Sequence, residues 1–75
     1  MNPAQLIKMA NQIGAFFEAM PDAEQATTGV AEHIRKFWEP RMRQALAAHV
    51  AAHGEEDLTP IVRRALHTMQ EADAS

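Results

Sequence analysis

Four prolines, at positions 3, 21, 40 and 60, set the layout of this chain of 75 residues. Proline lacks a backbone N–H and drives the residue before it out of the helical region, so a helix can begin at each position but cannot run through one unbroken. Asn2-Pro3 and Thr59-Pro60 each join an N-cap residue to a first-position proline. Asp22, just after Pro21, has Gln25 three residues on, the spacing of a capping box.

Between these marks the apolar residues recur at steps of three and four. Leu6, Ala10, Ile13, Phe17 and Met20, widened by Met9 and Phe16, predict a helix from Pro3 to about Met20. Ala23, Ala26, Val30, Ile34 and Phe37 predict a second from about Pro21 to Trp38, with a start near Thr28 as the alternative because Thr27, Thr28 and Gly29 form helix poorly. Met42, Leu46, His49, Val50 and His53 predict a third after Pro40, closed by Gly54 in the left-handed cap position. Ile61, Val62, Ala65, Leu66 and Met69 predict a fourth from Pro60 to about Met69, with fraying from about residue 70. Nothing alternates with period two. The expected fold is all-α: one domain over residues 1–75, a small antiparallel bundle of about four helices in which sequence neighbours pack together.

Composition removes most chemistry. Fifteen of the apolar residues are Ala and only twenty are larger, so the core is lean and a partner surface would add to it. With no Cys there are no disulfides, thiolate nucleophiles or Cys-ligated zinc and iron–sulfur centres. The one Ser is Ser75 and Tyr is absent, which leaves no hydroxyl nucleophile outside the terminus except Thr. Glycines stand singly at 14, 29 and 54, so neither a Walker loop nor a dinucleotide fingerprint can be written. No catalytic, cofactor-binding or metal-binding residue is expected. The uncharged stretch between Lys8 and Glu18 is far short of the ~20 residues that cross a bilayer, and the expected location is cytoplasmic.

Charge is uneven. The chain carries −3 overall, but residues 33–43 carry Arg35, Lys36, Arg41 and Arg43 against Glu39 alone. Interleaved with Phe37 and Trp38, these cations read in three ways: a single-stranded nucleic-acid surface, a core edge with a solvated rim, or a protein interface, where Trp and Arg are enriched as anchors. His33, Arg35, Lys36, Trp38, Arg41 and Arg43 are the candidate partner-contacting residues. His49 and His53 share a helix face, but two imidazoles are not a metal site, and further ligands would have to come from His33, His67 or a carboxylate across the bundle. Glu55, Glu56 and Asp57 precede a helix N-terminus, where negative charge offsets the helix dipole without any catalytic role.

Several stretches together resemble one family. Leu6–Gly14 with Phe16-Phe17, then Pro21-Asp22, then Ala31–Arg43 with its run His-Ile-Arg-Lys-Phe-Trp-Glu-Pro-Arg-Met, and finally Leu58-Thr59-Pro60, Val62 and Ala65-Leu66 are similar to the small delta subunit of NAD-dependent formate dehydrogenase of the soluble, molybdenum-containing bacterial type. The resemblance implies a noncatalytic accessory subunit of a cytoplasmic oxidoreductase complex that oxidises formate to carbon dioxide. It further implies that molybdopterin, iron–sulfur clusters and flavin sit in the large catalytic subunit and its companions. A transient maturation helper acting during cofactor insertion and a small single-stranded nucleic-acid binder are the alternatives. Self-association of the isolated chain and any regulatory ligand are left open by the sequence.

Overall fold

The computed structural model describes residues 2–74, with side chains described through Glu71. Four helices follow one another: α1 (Pro3–Phe17), α2 (Ala23–Phe37), α3 (Pro40–His53) and α4 (Pro60–Ala74). No strand occurs among the described residues, and the fold is a small all-α bundle.

The capping chemistry works where the sequence placed it for the first two helices. The Asn2 carboxamide oxygen accepts from the Ala4 N–H at 2.8 Å, and the Asp22 carboxylate accepts from the Gln25 N–H at 3.0 Å. Helix α2 therefore starts at Ala23, not near Thr28. The weak run is accommodated with the hydroxyl of buried Thr27 donating to the Ala23 carbonyl at 2.9 Å.

Other ends differ from expectation. Helix α1 stops at Phe17 instead of Met20: Pro21 bars Met20 from helical geometry, and the Met20 N–H closes a turn on the Phe17 carbonyl at 3.0 Å. Helix α4 continues past Met69 through Gln70 to Ala74; of the stretch expected to fray, Ser75 lies outside the described residues. Gly54 has φ 89° but ψ −176°, an extended mirror-image conformation open essentially to glycine alone, and not the left-handed helical cap. Thr59 does not cap α4 with its hydroxyl, which is buried without a partner among the described residues and lies 3.3 Å from where a Gly14 Cβ would stand.

Helix pairing also departs from the neighbour-on-neighbour expectation. Helix α2 packs most extensively on α4, while α1 touches all three others and is the main support of α3. Gly14 sets how near α1 comes to α4. A Cβ there would sit 2.8 Å from Val62 Cγ2 and 2.9 Å from Ile61 Cγ2, so only glycine lets α1 lie this close to the start of α4. Leu6, Ile7 and Ala10 complete the buried stripe of α1 and join Val30, Ile34, Leu46, Val62 and Ala65 in one core cluster.

Two polar clamps fix the α3–α4 connection. The Asn11 carboxamide donates to the Asp57 carbonyl at 2.9 Å and accepts from the Thr59 N–H at 3.0 Å, tying the loop to α1. Arg63 Nε donates to the carbonyls of Glu55 and Leu58 at 3.0 and 2.9 Å, holding the turn so that Leu58 is buried beneath it. Gly14→Ala is expected to lower stability by about 1–3 kcal/mol in urea denaturation, because two branched side chains must shift. Arg63→Ala should cost a comparable ~1–3 kcal/mol through the carbonyls it strands, whereas substitution of exposed Arg35 should change the midpoint little.

Candidate protein-interaction surface

The six residues singled out in the sequence occupy different environments. Arg35 and Lys36 are exposed in the last turn of α2, where positive charge is favoured by the helix dipole. Arg41 is exposed in the first turn of α3, where the same dipole disfavours it; that helix has no acidic residue in its first turn, and Glu39 at its N-cap makes no side-chain cap bond. Arg43 is half-buried, its Nε without a partner among the described residues, beside a cleft of about 280 Å³ walled by Ile34, Leu46, Val50, Leu66 and Met69. His33 is half-buried, its ring 4.7 Å from that of Phe37 and 6.3 Å from that of Phe17, centroid to centroid.

Trp38 stands apart from the other five. Only 5% of it is exposed, so it belongs to the core and offers no free face to a partner. Phe37, which helical spacing assigned to the core, is 72% exposed. The exchange has a simple cause. Val30, Ile34 and Trp38 are spaced by four and continue one buried line, which Trp38 joins by leaving the helix in an extended conformation (φ −86°, ψ 138°). Phe37 instead shares the side of His33, four residues back, and points with it away from α4.

Phe16 repeats the pattern on α1 at 75% exposure. Its neighbour Phe17 takes the inner place: the ring lies across Gly29, where a Cβ would come within 2.6 Å of it. Phe16 and Phe17 stand edge to face at 5.2 Å, so Phe16, Phe17, His33 and Phe37 form a continuous aromatic line from α1 to α2. Beside it runs an open groove of about 560 Å³ with nine lining residues. Buried Trp38 forms its base, half-buried Met9, Ile13, Phe17 and Met42 its walls, and Phe16 and Phe37 its exposed edges. No carboxylate lines it. A separate depression, sharing Phe17 with the groove, carries Glu24 and Glu32, so the acidic side chains collect elsewhere.

The remaining candidates do not assemble into chemistry. His49 and His53 stack at 4.9 Å, and no group of three or more His, Cys, Asp or Glu suited to a metal occurs among the described residues. Glu55 pairs with His67 at 2.7 Å across an exposed surface, an arrangement that contributes little to stability. Glu56 presents its carbonyl to Arg63. No described helix is long and apolar enough to cross a membrane.

Comparison with known protein families decides what this molecule is related to. The family model for the NADH-dependent formate dehydrogenase delta subunit, FdsD, matches residues 5–66, most of the chain. The chain belongs to the FdsD family. No curated protein and no solved structure matches it significantly. The matched stretch covers α1 from its third residue, α2, α3 and the first half of α4, and so contains the whole aromatic groove and every cation of residues 33–43.

Sequence spacing alone did not find Phe16 and Phe37 as surface residues. The one available signal was an excess: Phe16-Phe17 and Phe37-Trp38 each place two large aromatic rings side by side, more ring area than a lean core of this size takes in at one position. Trp38→Ala is expected to destabilise the chain by about 3–5 kcal/mol, and Phe37→Ala by less than about 1 kcal/mol, as read from paired urea melts.

Proposed function

We propose that this chain is a noncatalytic accessory subunit of a cytoplasmic NAD-dependent formate dehydrogenase, supporting assembly or stability of the complex that oxidises formate to carbon dioxide. The match of the delta-subunit family across residues 5–66 carries the reading. The surface supports it: two phenylalanines left exposed on a lean bundle and an excess of cations at 33–43 are features of a chain that is finished by a partner. Molybdopterin, iron–sulfur clusters and flavin are assigned to the other subunits, since a Cys-free chain without glycine loops offers none of their usual ligands. The large catalytic subunit is the partner onto which His33, Arg35, Lys36, Arg41 and Arg43 are proposed to face, with Trp38 shaping that face from beneath.

Purification of active formate dehydrogenase from the native cell tests this. A resident subunit appears at a fixed ratio to the large subunit, and its deletion lowers the yield of assembled enzyme while leaving turnover per assembled complex unchanged. If the chain is absent from active enzyme but bound to the cofactor-free large subunit, it is a maturation helper instead. Salt-sensitive binding to single-stranded RNA, with no association with any formate dehydrogenase subunit, would refute both.

A further inference from the structure

The aromatic groove is shaped for something longer than a single side chain. It runs between three helices, with Met9, Ile13 and Phe16 supplied by α1, Phe37 by α2 and Met42 by α3. A concave apolar channel with aromatic edges is the form that receives the apolar stripe of an amphipathic helix, whose large side chains recur at i, i+3 or i+4, and i+7. Phe16 and Phe37 each keep one ring neighbour, Phe17 at 5.2 Å and His33 at 4.7 Å, and leave their outer faces open to a helix seated between them.

Charge says what the incoming helix carries. Of residues 33–43 the groove takes His33, Phe37, Trp38 and Met42 as lining and no cation, but exposed Arg41 directly precedes Met42 in α3, exposed Arg35 and Lys36 directly precede Phe37 in α2, and Arg41 sits against the dipole of a helix start that lacks a side-chain cap. A carboxylate placed beside Arg41 relieves that arrangement from two directions, by pairing the guanidinium and by facing the positive end of α3. One observation disfavours a second copy of this chain as the occupant: a symmetric pairing through this face would set one basic segment against its twin.

Resting on the accessory-subunit reading, we infer that the groove edged by Phe16 and Phe37 receives an amphipathic helix of a formate dehydrogenase subunit, with large apolar residues in the groove and an Asp or Glu beside Arg41. The full chain, co-expressed with the remaining subunits, provides the test. Phe16→Glu with Phe37→Glu should reduce the amount retained on the purified complex at least tenfold, while Phe16→Leu with Phe37→Leu retains most of it. Both side chains are exposed, so the double Glu variant should keep its far-UV helicity and melting temperature. Arg41→Glu should also weaken retention, and raised salt should narrow its difference from the wild type.

A photo-reactive phenylalanine analogue at position 37 preserves the aromatic edge and does not depend on how the Glu variant folds. Mass spectrometry of its cross-link should map to one partner segment of apolar helical periodicity with an adjacent carboxylate. Undiminished retention of the folded double Glu variant overturns the inference while leaving the accessory-subunit reading intact, provided the wild-type chain is in the complex. A cross-link to a second copy of this chain, or to a segment without helical periodicity, also overturns it. Absence of the wild-type chain from the complex removes both.

Discussion

The close passage of α1 over the start of α4 is the contact on which the rest of the bundle depends. Gly14 permits it, since a single added carbon would lie under 3 Å from both Val62 and Ile61. From that crossing the other contacts follow. Asn11, three residues earlier on α1, reaches the backbone of residues 57 and 59 and fixes where α4 begins. Leu6, Ile7 and Ala10 then lie along the core, and α2 closes it by packing on α4. A lean set of large side chains suffices because small residues at the crossings let backbones approach and bury one another.

The same packing creates the surface. Once Gly14 faces α4, the turn of the helix puts Phe17 over Gly29 and leaves Phe16 outside. Likewise the buried line through Val30, Ile34 and Trp38 turns Phe37 outward beside His33. Neither exposed phenylalanine is a packing fault: each is the outer member of an adjacent aromatic pair whose inner member holds the fold. The same two dipeptides thus supply one ring to the fold and one to the surface. In a member of the delta-subunit family, a surface of this kind suits a chain that works by attachment.

Much of the architecture was legible in the sequence. Prolines at 3, 21, 40 and 60 opened or bounded every helix, and Asn2 and Asp22 capped as their spacing predicted. Two helix ends were less legible: Thr59 turned its hydroxyl toward α1 instead of capping α4, and Gly54, in open surroundings, adopted an extended positive-φ geometry instead of the helical one. Of the candidate interface residues, Arg35, Lys36 and Arg41 are exposed and Arg43 is half-buried, but Trp38, the residue type with the strongest interface signal, went inside. Composition identifies a capable side chain; it does not say which of two adjacent rings faces out.

The sequence by itself determined the number and type of the helices, the absence of the usual cofactor ligands, the basic character of residues 33–43, and the resemblance to the delta subunit. These depend on residue identity and local spacing, which the chain carries in one dimension. Only the tertiary structure decided that α2 pairs chiefly with α4, that Asn11 and Arg63 hold the connecting loop, and that Phe16 and Phe37 edge a groove with Trp38 as its base. The physical reason is that a helical stripe specifies a face only to within about one residue's rotation. Which residue of an adjacent pair is buried is settled by where a neighbouring helix can come close: Gly29 makes room for Phe17, and the buried line of Val30 and Ile34 takes in Trp38.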